Sequence, residues 1–137
     1  MRISKKAEYG LIAMLAMVNR SRIKPVQIQE LSDSEKIPAK FLEQILLSLK
    51  KGGLLESKRG VGGGYRLARE PDRIRVSEIV KLIDGPLQLV VSPHGDSDGL
   101  SVYFATLHRK IEEHFNGYTL RDVADLGGAG HVLNFDI

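Results

Sequence analysis

Four glycines within five residues, set between basic side chains, constrain this chain more than any other feature. Residues 58–66 read KRGVGGGYR. Because glycine adopts the positive φ angles that tight turns require, this segment predicts a β-hairpin with strands at residues 54–57 and 65–68. Glycines can also bring backbone amides up to a phosphate, but that motif needs a helix directly after the glycines. We expect a strand there, so a nucleotide-binding loop is rejected.

A helix is predicted immediately before the hairpin, over residues 38–51. Pro38 suits its first position, and Gly52 and Gly53 suit its end. Its apolar residues recur at helical spacing, at positions 42, 45, 46 and 49. The opposite face carries Lys40, Glu43, Gln44 and Lys51. A shorter helix with Val26, Ile28 and Leu31 precedes it, and we expect the polar residues 32–34 to break that helix.

The order of these elements predicts the fold class. A short helix, a turn, a second helix and a basic hairpin are typical of a winged helix-turn-helix, in which one helix lies in a DNA groove with a wing beside it. The expected fold is therefore mainly α with a small β-hairpin wing. A long C-terminal dimerisation helix is expected to follow it.

The charge distribution favours a polyanionic partner. Residues 1–84 hold 17 basic and 10 acidic side chains, a net charge of +7, whereas residues 85–137 hold 3 and 7, a net charge of −4. Such a dipole turns the basic half toward a polyanion. An ordinary solvated surface is the alternative, but the basic half coincides with the predicted DNA-binding fold, so we favour nucleic acid.

The residue types that are missing exclude several classes of protein. The chain has no cysteine, which excludes disulfides, thiolate metal sites, cysteine-held iron–sulfur clusters and cysteine nucleophiles. No serine–histidine–acid set or carboxylate pair stands out, so we do not expect an enzyme. The longest apolar run, residues 9–18, is too short to span a bilayer. We therefore expect a cytoplasmic protein.

The remaining N-terminal elements are predicted from caps and turns. Ser4 is a candidate N-cap for a largely apolar first helix that runs to about Arg20. Residues 74–76 can add a strand, and Ser77 can cap a helix that ends at Gly85-Pro86.

The C-terminal part predicts a loop and a dimerisation helix. Residues 88–99 are rich in turn formers. The helix after them, residues 100–115, has a coiled-coil-like apolar seam that is too short to be stable alone, and we expect it to pack on a partner subunit. The seam of this helix consists of Leu100, Phe104, Leu107, Ile111 and Phe115. After the helix, Thr119–Asp122 resembles a capping box.

The predicted organisation has four parts. Residues 1–85 form the DNA-binding domain and residues 86–99 a flexible sensor-type loop. Residues 100–126 form the dimerisation helix and a short last helix. Residues 127–137 are a tail.

The residues predicted to contact DNA fall into three groups. Gln44 can pair with adenine and Glu43 with the cytosine amino group, although Glu43 can instead pair with a surface lysine. Arg59 suits a narrow minor groove, where the potential is most negative. The other predicted contacts, mainly to phosphate, are Arg2, Lys5, Pro38, Ala39, Lys40, Lys51, Lys58, Gly60 and Arg66.

The loop also contains weak metal-ligand candidates. His94, Asp96 and Asp98 lie within five residues of one another, and His108 and His114 follow on the long helix. No tight ligand spacing recurs, so ordinary surface polarity is favoured and no metal is expected.

Several segments together resemble one known family. They are MRISKKAEY at residues 1–9, FLEQIL at 41–46, KKGGLL at 50–55, RGVGGGYRL at 59–67 and YTL at 118–120. They resemble the Rrf2 family of bacterial winged-helix repressors, which includes an iron–sulfur cluster regulator, a nitric-oxide-sensing repressor and a cysteine-metabolism repressor. The resemblance covers about residues 1–126.

The resemblance implies a homodimer joined through the long helix, with one helix per subunit in the major groove and one wing in the minor groove. It assigns base reading to Glu43 and Gln44 and minor-groove contact to Arg59. Residues 38–40 depart from the family pattern, so the operator sequence cannot be transferred. Many members hold a cluster through three loop cysteines, so this chain resembles the cluster-free branch, in which a protein or small molecule sets DNA affinity.

We therefore predict a homodimeric, sequence-specific transcription regulator, expected to be a repressor of a palindromic operator. Two rival hypotheses stay open at this point. One is a protein-interaction module whose wing docks on an acidic partner. The other is a metal- or ligand-gated sensor that uses the 86–99 loop.

Overall fold

The computed structural model describes residues 2–20, 24–89 and 99–128. It confirms a mainly helical fold with one two-stranded antiparallel hairpin. A 3₁₀ turn, Pro71–Arg73, follows the hairpin. The elements are α1 (Lys5–Val18), α2 (Ile28–Glu35), α3 (Ala39–Lys51), β1 (Leu55–Lys58), β2 (Gly64–Leu67), α4 (Val76–Asp84), α5 (Gly99–Phe115) and α6 (Leu120–Gly128).

Helix α1 lies at the centre of the fold. Its predicted N-cap is confirmed, because the Ser4 hydroxyl accepts a hydrogen bond from the Ala7 N–H at 3.0 Å. Ser4 also donates its backbone N–H and its hydroxyl to the Asp84 carboxylate at the end of α4. The helix ends at Val18, two residues before the predicted Arg20. It packs against α2, α3, α4 and α6, so these elements share one core.

The prediction that residues 32–34 break the second helix is wrong. Helix α2 continues through them to Glu35 and ends where Lys36 adopts a left-handed φ of 56°. The hydroxyls of Ser32 and Ser34 donate to the backbone carbonyls of Ile37 and Leu31. Both hydroxyls are therefore satisfied within the helix and just after it, so these polar side chains do not have to end the helix.

Val26 and Pro38 lie just outside the helices to which they were assigned. Val26 exchanges two backbone hydrogen bonds with Tyr65 of the wing, at 2.7 and 2.8 Å. Pro38 is the N-cap of α3 rather than its first residue, because its ψ of 129° is extended. Its carbonyl still accepts the first helical hydrogen bond, from the Leu42 N–H at 2.9 Å.

The hairpin forms within one residue of its predicted bounds. Leu55 pairs with Leu67 at the open end, and Lys58 pairs with Gly64 next to the turn. The turn closes through a hydrogen bond from the Gly63 N–H to the Gly60 carbonyl at 2.9 Å. Gly60 and Gly62 have φ angles of 94° and 76°, which confirms why glycine is needed in this turn.

The segment after the hairpin corrects two predictions. Residues 74–76 do not form a strand; Arg75 makes a single bridge to Thr119 instead. The N-cap of α4 is Arg75, and Ser77 is buried inside the first turn. The Glu78 carboxylate takes over the capping role, because it accepts a hydrogen bond from the Arg75 N–H at 2.9 Å.

Glu78 is held in its charged form by its surroundings. Burial raises the pKa of Glu78. Hydrogen bonds from the Arg75 backbone and the Arg69 guanidinium, together with the charges of both arginines, lower the pKa by a larger amount. The net result is a pKa below the ordinary value. Arg69 reaches both carboxylate oxygens, at 3.1 and 3.3 Å, and so ties the segment after the wing to α4.

Helix α5 stands largely apart from the core. It is 17 residues long, and the described part of the chain buries none of them. An ion pair between Lys81 and Glu112 at 2.6 Å connects it to α4. The predicted capping box before α6 is confirmed, since the Thr119 N–H donates to Asp122 at 2.9 Å and the Asp122 N–H donates to the Thr119 hydroxyl at 3.1 Å.

None of the helices within the described ranges is long and apolar enough to span a membrane. The cytoplasmic location and the domain boundaries stay predictions.

Candidate nucleic-acid interface

Helix α3 is divided into a buried face and an exposed face, as the sequence predicts. The core face is completely enclosed and consists of Leu42, Ile45, Leu46 and Leu49. Burial of this stripe fixes the rotation of the helix about its own axis, so the other face must point outward. The predicted contacts Lys40, Glu43, Gln44 and Lys51 are all exposed there, as is Pro38, while Ala39 is half-buried.

The two predicted base-reading side chains on α3 have free polar groups. Glu43 makes no ion pair within 4 Å in the part of the chain that the structure describes, so the alternative pairing with a surface lysine is not seen. The side-chain amide of Gln44 likewise has no described partner, although its backbone carbonyl accepts a hydrogen bond from Ser48. Both side chains are therefore available to an external partner.

The wing tip is fully exposed and basic. Lys58, Arg59 and Gly60 are all exposed, and Arg59 makes no ion pair with the described residues. Val61 beside them has a relative exposure of 106%. Val61 is not among the contacts predicted from the sequence. Proteins that bind the minor groove often insert apolar side chains between its bases, so an apolar residue between glycines at the wing turn could have indicated it.

The wing is fixed to the helical core through its second strand. Gly64, with a φ of 146°, lies so close to Val26 that a Cβ on it would approach the Val26 carbonyl oxygen to 2.4 Å. The next residue, Tyr65, carries the two backbone hydrogen bonds to Val26 and packs partly buried against the core. The wing and the helix-turn-helix are therefore held in one arrangement.

We expect Gly64→Ala to lower the free energy of unfolding by about 2–4 kcal/mol, because it combines backbone strain with a clash. Gly62→Ala is the matched control: its φ of 76° is also positive, but nothing lies within 4 Å of the added Cβ. It should lose only about 1–2 kcal/mol. Urea unfolding of both variants measures the difference, and equal losses would contradict the tight contact between Gly64 and Val26.

The predicted phosphate contacts differ in their surroundings. Arg66 pairs with Glu56, its cross-strand neighbour, at 3.1 Å. Lys5 lies 3.5 Å from Glu8 and 5.2 Å from the centre of the Tyr9 ring. The Tyr9 ring in turn contacts Phe41 edge-on, which brings Lys5 toward the first turn of α3.

Arg2 has different neighbours. It lines a cavity together with Asp84 at the end of α4 and Phe115 at the end of α5. Its role as a DNA contact, like those of Lys5 and Arg66, stays a prediction.

Helix α5 exposes more apolar surface than the predicted seam contains. Leu100 is 51% exposed, and the other four seam residues are half-buried. Val102 and Tyr103, which the seam pattern did not include, are 67% and 60% exposed. The heptad pattern selects one face of a helix and therefore misses apolar residues on the flanks.

The weak metal candidates cannot be placed, because His94, Asp96 and Asp98 lie outside the described residues. Within residues 2–20, 24–89 and 99–128, no group of three or more histidine or acidic side chains is arranged to hold a metal ion. His114, on α5, contacts the Tyr118 ring at 5.5 Å.

The chain is similar to proteins of one class. Residues 3–126 match the profile of the Rrf2 family, described as "Iron-dependent Transcriptional regulator". The HTH-type transcriptional regulator IscR of Cereibacter sphaeroides is 37% identical over 103 residues, which cover 74% of this chain and 66% of that protein. The HTH-type transcriptional regulator CymR of Bacillus subtilis is 28% identical over 124 residues, 90% of each chain.

Solved structures of regulators share the fold. The structure of CymR, the global cysteine regulator of B. subtilis, superimposes with a TM-score of 0.82 at 27% identity, covering 91% of this chain and 97% of that one. IscR of T. potens superimposes with a TM-score of 0.78 at 29% identity, covering 96% and 92%. These proteins are regulators rather than enzymes.

The residues of this chain do not fit an iron site built on thiolates. The sequence has no cysteine, and iron–sulfur clusters are held mainly by cysteine thiolates. The described residues also lack a group of three imidazole or carboxylate side chains that could replace them. The iron dependence in the family description therefore has no matching donor set in the described structure.

Proposed function

This chain belongs to the Rrf2 family of transcriptional regulators, and we propose that it acts as a homodimeric repressor of a palindromic DNA operator without an iron–sulfur cluster. The observation that carries the proposal is that two exposed elements are fixed to one core. Helix α3 exposes the free polar groups of Glu43 and Gln44, and the wing that exposes Arg59 is held to the same core through Val26 and Tyr65.

The chemistry of the two elements suits the two grooves of DNA. An α-helix fits the major groove, where glutamine pairs with adenine and glutamate accepts from cytosine. A wing tip with an arginine fits a narrow minor groove. Lys40 and Lys51 on α3 and Lys58 on β1 are also exposed and can neutralise phosphates.

The exposed α5 supports a homodimer. A helix of 17 residues that buries none of them is marginal in water by itself, so its apolar surface needs a cover. A second copy of the same helix provides one, and such pairing in soluble proteins is usually two-fold symmetric. Two-fold symmetry implies an operator with two inverted half-sites, about 34–36 Å or a multiple of that apart.

Repression and control by a protein or small molecule are further parts of the proposal. A dimer that covers an operator near a promoter blocks transcription directly. Because the chain has no thiolates for a cluster, we expect the natively purified protein to bind its operator with no bound iron in elemental analysis. Stoichiometric iron that is required for binding would contradict the cluster-free proposal.

DNA binding itself is tested by a mobility-shift selection on random genomic fragments with excess competitor DNA. We expect a small subset of fragments to be retained, with an affinity that falls steeply as salt rises, because each neutralised phosphate releases counterions. Retention of no fragment at low salt would overturn the proposal. That result would favour the rival hypothesis, in which the wing docks on an acidic protein.

Gln44→Ala should relax base preference at one position in each half-site. Loss of a bidentate contact with adenine costs about 1–3 kcal/mol for the preferred base and little for the others. Binding to a set of operators mutated one base at a time measures this. Gln88→Ala, which removes another exposed glutamine side chain outside α3, is the matched control. Equal weakening on every operator would contradict base reading by Gln44.

A further inference from the structure

An open cavity of about 400 Å³ lies beside α4 and the segment that follows the wing. Arg69 and Arg73 come from the segment that follows β2, at the open end of the hairpin, where Leu55 pairs with Leu67. Arg75, Ser77 and Lys81 come from the start and middle of α4, and Asn116 follows α5. The cavity therefore borders three structural elements and lies at the other end of the hairpin from Arg59.

The lining of the cavity carries an excess of positive charge. Its four cations are Arg69, Arg73, Arg75 and Lys81, and its one acid is Glu78. Glu112 pairs with Lys81 from α5, so two positive charges remain even when this neighbour is included.

Two of the four cations, Arg73 and Arg75, can bind a ligand. The other two are already paired: the Arg69 guanidinium donates to Glu78, and the Lys81 ammonium donates to Glu112 and Asn116. Arg73 and Arg75 are exposed and form no ion pair within 4 Å in the described ranges. Two guanidinium groups, each with several N–H donors, are thus available at one cavity.

Ser77 is a second and independent indication of a ligand. The residue is only 2% exposed, and its hydroxyl has no hydrogen-bond partner among the described residues. Every fully enclosed side-chain polar atom of the described residues has a hydrogen-bond partner. Because the Ser77 hydroxyl has none, it cannot be fully enclosed, and it belongs to the small accessible part of this residue. Ser77 lines the cavity, so its hydroxyl can bond to a ligand bound there.

We propose that this cavity binds a small oxyanion with two or more negative charges, either a phosphate ester or a polycarboxylate. The guanidinium groups of Arg73 and Arg75 pair with its oxygens, in the geometry that arginine offers to phosphate and carboxylate. The Ser77 hydroxyl donates to a third oxygen. The bound anion joins the end of the wing, α4 and the end of α5, so it connects the DNA-binding elements to the helix proposed to form the dimer.

Isothermal titration calorimetry without DNA tests the site, with pyrophosphate and citrate as probes and chloride holding the ionic strength constant. We expect saturable binding of one anion per chain with a dissociation constant of about 1 mM or lower. Binding of pyrophosphate alone assigns the site to phosphate esters, and binding of citrate alone assigns it to polycarboxylates. Binding of both supports a general oxyanion site.

Variants separate this cavity from general surface charge. Arg73→Gln/Arg75→Gln should weaken anion binding at least about tenfold, because it removes the charge-assisted hydrogen bonds. Ser77→Ala should weaken it several-fold. The control Arg109→Gln/Lys110→Gln removes two exposed cations from α5 and should leave it unchanged. Absence of saturable binding at about 10 mM of either probe, or equal binding by Arg73→Gln/Arg75→Gln, would overturn the proposal.

Operator binding in anion-free buffer distinguishes a ligand site from an extension of the DNA interface. The operator affinity of Arg73→Gln/Arg75→Gln should lie within about twofold of that of the unmodified protein. This is a change in binding free energy of less than about 0.5 kcal/mol, which is smaller than the loss of a phosphate contact would cause. A loss as large as that of Arg59→Ala would assign the two arginines to DNA and overturn the proposal. The calorimetry needs no DNA, so failure of the regulator proposal leaves this test intact.

Discussion

Replacing Leu107 with aspartate should convert the protein to monomers and lower its affinity for operator DNA by about 100-fold. Leu107 is the central residue of the α5 seam, and burying an unpaired carboxylate between two helices costs several kcal/mol. A monomer contacts one half-site and loses the gain that comes from linking two binding events, which is about 100-fold or more.

The control for Leu107→Asp is Ala105→Asp, which places the same charge on α5 at an exposed position outside the seam. Sedimentation equilibrium measures the oligomeric state, and circular dichroism checks that the core of α1 to α4 is still folded. A Leu107→Asp protein that stays dimeric and keeps its operator affinity would show that α5 does not hold the dimer together.

Arg59→Ala should produce the second large effect, a loss of operator affinity of about 100-fold or more. A dimer presents two copies of Arg59, and each hydrogen bond to a charged group contributes roughly 1.5–3 kcal/mol. Arg59→Lys should recover only part of this loss, because a narrow minor groove favours arginine. Mobility-shift titrations at several salt concentrations measure the affinity and its salt dependence.

The matched control for Arg59 is Arg109→Ala, which removes an exposed arginine from α5. Its operator affinity should change little. If Arg59→Ala also binds normally while its unfolding curve is unchanged, the wing does not contact DNA and the proposed groove geometry is wrong.

The parts of the fold that could be predicted from the sequence are those fixed by local chemistry. The α3 stripe is set by helical spacing, and the hairpin turn is set by glycines that alone adopt its φ angles comfortably. The N-cap at Ser4 and the box at Thr119 depend on hydrogen bonds within three residues along the chain. Such interactions need no knowledge of distant residues.

The errors arose where distant residues decide the local structure. Ser77 is a good capping residue by type, but Arg69, eight residues earlier, fixes Glu78 so that Glu78 caps α4 instead. The hydrophobicity of Val26 predicts that it belongs to a helix, whereas its backbone N–H and carbonyl are hydrogen-bonded to Tyr65 in the second strand of the wing. Long-range pairing overrides local preference at both places.

The candidate DNA interface was largely visible in the sequence, since the exposed face of α3 and the tip of the wing follow from periodicity and glycine content. The cavity beside α4 was not. Its arginines at 69, 73 and 75 are interspersed with Glu70 and Asp72 in the sequence, and only the fold brings them next to Ser77 and Asn116.

Hydroxyl-radical footprinting of the protein on a selected operator tests the central claim most directly, because it maps every protected sugar on both strands. If α3 and the wing form one surface that a two-fold dimer duplicates, the protection pattern will be symmetric. Its two major-groove centres will lie about one helical turn, roughly 10–10.5 base pairs, or a multiple apart, with minor-groove protection beside each. A single asymmetric tract, or protection of the major groove without the adjoining minor groove, would contradict the account.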